Sequence, residues 1–190
     1  MIERRLSASG LEVRAEDDQP RMAGYAAVFN SMSEDLGGFR EVIERGAFRR
    51  SMGKDIRALW NHNSDNVIGR TTAGTLRLEE DERGLYSEIF PPESAGNYME
   101  SVRRGDVSQM SFGFIVNEDV VEYQEDGTLL RRLVDVELME VSPVAFPAYP
   151  ETSINARSID ELRKRAVPAA TPGQVARARV RRKMLERLYG

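Results

Sequence analysis

Met110-Ser111-Phe112-Gly113-Phe114-Ile115-Val116-Asn117 is the stretch on which the fold turns. With a side-chain period of two, Met110, Phe112, Phe114 and Val116 share one face, while Ser111 and Gly113 share the other. An apolar face this bulky needs a core to enter, so the segment reads as a strand. The small residues opposite either leave an open patch for an incoming backbone or let a helix pack closely. Both readings stand at this point.

Working outward, residues 24–30, 56–62, 75–80, 85–90 and 128–141 carry the same β-branched, aromatic or alternating apolar character and predict further strands. Asp81-Glu82-Arg83-Gly84 and Gln124-Glu125-Asp126-Gly127 fall between neighbouring runs and predict hairpin turns. A helix is expected over 94–104, with Ser94 as N-cap and Gly105 as the stop, and a short one within 41–52. Many short strands with few long helices predict a mainly β (α+β) domain, a closed antiparallel β-barrel or a sandwich with peripheral helices.

Charge divides the 190 residues. Residues 1–156 carry 17 basic and 28 acidic side chains, whereas 157–190 carry 10 basic and 3 acidic, so a body of net −11 is joined to a tail of +7. The break follows the turn-rich Phe146-Pro147-Ala148-Tyr149-Pro150. The tail predicts helices over 158–166 and 173–189, the second basic and loosely amphipathic, with an extended, accessible linker at 167–172. No stretch approaches the ~20 apolar residues of a spanning helix, and the N-terminus lacks the apolar run of a signal peptide, so a cytosolic, non-secreted protein is expected.

The chain has no Cys and one His. The first count excludes disulfides, thiol nucleophiles and thiolate metal sites. The second makes His62 the first suspect for proton transfer near neutral pH. No dinucleotide fingerprint, phosphate-binding loop or His-Glu-x-x-His occurs, and no cofactor or metal is expected. In 133–143, alternation sets Asp135 and Glu137 on one face and Val134, Val136, Leu138 and Glu140 on the other, so Glu140 interrupts an apolar face. A buried carboxylate needs a partner, and a histidine is one. Ser111, His62 and Glu140 are thus the parts of a hydrolytic triad, in which a hydroxyl is activated by a base that a third group orients.

Seven segments carry a family resemblance: Gly24-Tyr25-Ala26-Ala27-Val28-Phe29-Asn30, Glu44-Arg45-Gly46-Ala47-Phe48, Trp60-Asn61-His62, Ile68-Gly69-Arg70, Arg104-Gly105, Met110-Ser111-Phe112-Gly113-Phe114 and Glu140-Val141-Ser142-Pro143-Val144-Ala145-Phe146-Pro147-Ala148. In order and spacing these resemble the prohead serine proteases of tailed bacteriophages. The resemblance implies an assemblin-like barrel and a protease enclosed in the immature capsid, in the host cytoplasm. Its substrates would be the major capsid protein and scaffolding segments, and often itself, with the 167–172 linker as a self-cleavage site. A homodimer is left open, and neither membrane nor specific nucleic acid is implied as a partner.

By position, the family's histidine matches His62 and its nucleophile Ser111. Assemblins complete their site with a second histidine, which this chain does not have. An acid must replace it, and Glu140 is favoured over Glu137 and Asp135. A silent assembly scaffold that kept the barrel is the alternative. The +7 tail is either a solvated helix or a dock for acidic scaffold or capsid surfaces.

Overall fold

Residues 110–117 open a long hairpin made of β9 (Gln109–Tyr123) and β10 (Leu129–Val144). The strands pair antiparallel almost throughout and turn at Gly127, whose φ of +82° suits the left-handed conformation glycine tolerates. In the computed structural model, which describes residues 1–7, 10–16, 19–146 and 156–167, everything else is arranged around this hairpin.

On its outer edge β9 pairs with β1 (Glu3–Ser7), antiparallel. The other edge of β10 is shared by two short strands, both parallel to it: β4 (Phe39–Ile43) along Leu129 to Leu133, and β5 (Arg57–Trp60) at Glu140 and Val141. β6 (Asn63–Arg70) extends the sheet beyond β5. A second sheet, wholly antiparallel, runs β2 (Glu12–Glu16), β3 (Gln19–Val28), β8 (Gly84–Ile89), β7 (Leu76–Glu80).

The closed barrel expected from sequence is not found. The sheets are open, and among the described residues no strand ladder joins one to the other. Closure requires a uniform stagger around a single ring of strands. Here β10 is divided between two parallel partners and carries three register irregularities, so the sheets meet through side chains instead. Met110, Phe112 and Phe114 are fully buried with Met22, Leu85 and Ile89 of the second sheet and with Phe48. Phe112 stacks on Phe114 at 5.1 Å and meets Phe48 edge-on at 5.4 Å, contacts worth about 0.5–1.5 kcal/mol each beyond area burial.

The helix expected over 94–104 is a 3₁₀ turn, Glu93–Ala95, leading into α1 (Gly96–Arg103). Gly105, at φ +80°, ends it, but Ser94 is not the cap: Ala95 holds that position without a side-chain bond. Within 41–52 only Arg49–Ser51 is helical, because Phe39–Ile43 is drawn into the sheet against β10. Of the tail, α2 (Ala156–Arg165) lies against the body. Its Leu162 joins Phe39, Val121 and Leu129, Arg165 pairs with Asp119 at 2.8 Å, and Val167 bridges to Glu122. Residues 168–190, with most of the linker and the second basic segment, lie outside the described residues.

Candidate active site

β5 and β6 are joined by two residues only, Asn61 and His62, between the paired Trp60 and Asn63. Both have positive φ, +51° and +60°, the requirement of a type I′ hairpin, where Asn-Gly is the favoured pair. His62 takes the place of that glycine in a conformation costly for a side chain with a Cβ. The turn is held from outside: the Asn61 N–H donates to the Pro143 carbonyl at 3.0 Å, and the Asn61 Oδ1 accepts from the Ala145 N–H at 2.9 Å. The hairpin tip is thereby tied to the end of β10 and the residue after it.

From this position the His62 ring reaches Glu140, with Nδ1 2.6 Å from Oε1. The two side chains are only 13% and 8% exposed. An ionised carboxylate only accepts, so a neutral ring that donates Nδ1–H to it would present Nε2 as a lone-pair base. That Nε2 is buried and has no hydrogen-bond partner among the described residues. A buried polar atom without a partner is expensive and calls for an explanation.

Glu140 reaches the histidine by a route that simple alternation misses. Leu138 pairs with Phe114, but Glu140 pairs with Gly113, so a bulge at Met139 shifts the phase of β10 by one. Leu138 enters the core beside Phe114, while Glu140 turns to the opposite face with Gly113. Glu140 therefore does not interrupt the apolar face, as the sequence had suggested. It lies on the polar one. The space left by Gly113 is filled rather than open, since a Cβ there would stand 2.5 Å from Glu140 Oε1. The second carboxylate oxygen accepts the Ser142 hydroxyl at 2.6 Å, and Arg4 approaches Oε1 at 3.9 Å.

Ser111 is on this same face, opposite Ser142 across the hairpin and Leu6 of β1. It is fully buried, and its hydroxyl donates to the Arg5 carbonyl at 2.8 Å. The structure thus joins His62 to Glu140 and sets Ser111 on their face, with no hydrogen bond from Ser111 to the ring. The fallback acids go elsewhere. Asp135 pairs with Arg50 at 3.0 Å and Glu137 with Lys54 at 3.1 Å.

The family model of the caudovirus prohead serine proteases matches residues 9–165. The chain belongs to that family. No curated protein and no solved structure matches it. Membership makes the chain one of a family of serine proteases of phage proheads, and the match runs through α2, the helix docked on β9 and β10. Among the described residues no helix is long and apolar enough to cross a membrane.

Sequence reasoning missed Ser142, Gly113 as the space for Glu140, and the strand β1 beside Ser111. Glu140-Val141-Ser142 did carry a signal: residues two apart on a strand share a face, so a buried acid and a hydroxyl at that spacing can meet. The Met139 bulge, which decides which face, had none.

Proposed function

We propose that this chain is a serine endopeptidase that cleaves capsid or scaffolding protein, and itself, during prohead maturation. In this reading Ser111 Oγ attacks the scissile carbonyl carbon and its proton passes to Nε2 of His62. The C–N bond then breaks as the imidazolium returns that proton to the leaving amine. Water next enters by the same route, giving its proton to Nε2, and the acyl-serine bond breaks to release the acid and restore the hydroxyl. Glu140 holds the ring by Nδ1–H throughout and stabilises its charged form.

The observation that carries this reading is the His62–Glu140 hydrogen bond, which leaves a buried, unpartnered Nε2 on the face that holds Ser111. Turnover needs the Ser111 hydroxyl to exchange the Arg5 carbonyl for Nε2. It also needs the buried Ser111 to become accessible as substrate arrives. Residues 1–156 form the catalytic body in this proposal, with 157–190 as an attached basic segment.

The test is co-expression with a candidate capsid-protein substrate, with mass spectrometry of the products. Ser111→Ala is expected to fold and to lower processing by roughly 10⁴–10⁶. Unchanged processing would overturn the reading and favour a silent assembly scaffold.

A further inference from the structure

Ser142 is fully buried, and its one hydroxyl proton is directed at Glu140 Oε2, 2.6 Å away, while Oε1 of the same carboxylate faces His62 Nδ1 at 2.6 Å. The three groups form a line: hydroxyl, carboxylate, imidazole. We propose that Ser142 is a positioning residue that fixes the Glu140 carboxylate so that Oε1 stays in line with the His62 ring; this rests on the reading of His62 and Glu140 as the catalytic pair.

Little else holds the Glu140 carboxylate. The carboxylate has two oxygens to satisfy. Gly113 supplies space and no contact that could orient the group. Arg4 stands 3.9 Å from Oε1, with a side chain 48% exposed, so its pull is screened and does not bear on Oε2. The Ser142 hydroxyl is the close donor on that second oxygen. Without it, the carboxylate can turn about its last bond and still accept from His62 in a range of poses, and the imidazole loses its single orientation. Strand geometry makes the contact automatic once the bulge has turned Glu140 over, because Glu140 and Ser142 are two apart on one face of β10.

The same geometry argues against Ser142 as the nucleophile. A hydroxyl that gives its proton to a carboxylate is not activated by the imidazole, and a carboxylate is a weak base for a serine.

The single histidine makes the experiment clean, since selective ¹⁵N labelling of histidine yields one imidazole spectrum. In the full chain, the water-exchange rate of the Nδ1 proton is measured beside the rate at which a fluorophosphonate labels Ser111, the labelled residue being located by peptide mass spectrometry. Ser142→Ala is expected to speed exchange and slow labelling each by on the order of tenfold, the worth of one hydrogen bond to a charged group. The thermal midpoint should fall modestly, because a buried carboxylate oxygen loses its donor, and Ser142→Thr, which keeps the hydroxyl, should preserve both rates. A merely structural role would lower the midpoint without freeing the Nδ1 proton. Wild-type exchange in Ser142→Ala overturns the proposal, and so does label found on Ser142 itself. If Ser111 takes no label in the wild type while exchange still quickens in Ser142→Ala, the positioning contact holds and the protease reading falls.

Discussion

Strand β10 buries carboxylates at both of its ends, and they are treated in opposite ways. Near its start, Arg131 lies among Glu3, Glu41 and Asp119 at 2.8, 3.3 and 2.6 Å, and Arg5 pairs with Glu41 at 2.7 Å and with Glu3 at 2.7 Å. Every acid there faces a guanidinium. Burial alone would raise the Glu3 and Asp119 carboxyls, but the arginine hydrogen bonds and charges outweigh it and hold both below their ordinary values. The same acids push Arg131 upward against its own burial. Near its end, Glu140 faces an imidazole and a hydroxyl; among the described residues its one guanidinium is the exposed Arg4 at 3.9 Å, and the ring's far nitrogen has no partner. A saturated network ties β1, β4, β9 and β10 together and has no valence left for chemistry. The unsaturated one keeps a base in reserve. Equal burial of charge therefore means structure at one end and a candidate site at the other.

The comparison breaks most sharply at Glu140. Glu140→Gln keeps the shape but can present its amide to Nδ1, favouring the wrong tautomer. By analogy with the aspartate of other triads, peptide cleavage should fall by about 10⁴ while the thermal midpoint moves little. A large loss of stability with activity intact would reverse the roles assigned to the two ends. Glu41→Ala should do the opposite. It takes one of two acid partners from Arg5 and one of three from Arg131, both buried, and breaking a buried ion cluster costs up to about 3–5 kcal/mol. Urea unfolding would read that loss, and whatever fraction remains folded should label at Ser111 normally.

The smallest effect is in acid. Glu3 and Asp119 have folded-state values below their ordinary 4.5 and 3.8, so the unfolded chain binds protons first as pH falls. Their stabilisation is fully present above about pH 5 and is lost as pH drops through and below those values. Unfolding free energy measured from pH 6 to pH 3 should decline over that span, and less steeply in Asp119→Asn. A flat profile would mean that the start of β10 is not held by ionised acids.

Much of this was legible in the residues themselves. The alternation around Phe112 and Phe114 marks a strand because a period of two has only one backbone that satisfies it. The Asp81–Gly84 and Gln124–Gly127 turns announce themselves by residues that tolerate tight backbone. The strands β1, β2 and β6 did not stand out. Glu3-Arg4-Arg5-Leu6-Ser7 is too charged to look like a strand, and becomes one because Arg5 finds Glu41 across the sheet while keeping Glu3 on its own strand. Residues 63–70 are polar at the outset and pair because the two-residue turn at Asn61 and His62 folds them back on β5.

By itself, the sequence determined that one imidazole is available for acid–base chemistry and that no thiol or second histidine can complete a site. Those are facts of composition and need no fold, whereas an acid in the second histidine's place is what the family resemblance implies. Only the tertiary structure shows which acid meets His62, and by what path. One unpaired residue at Met139 turns Glu140 from the core face to the polar face, a left-handed turn delivers His62 to it, and Gly113 leaves the room. The reason is that a face in a sheet belongs to the pairing register, which is set by both strands together, and no single strand's pattern contains it.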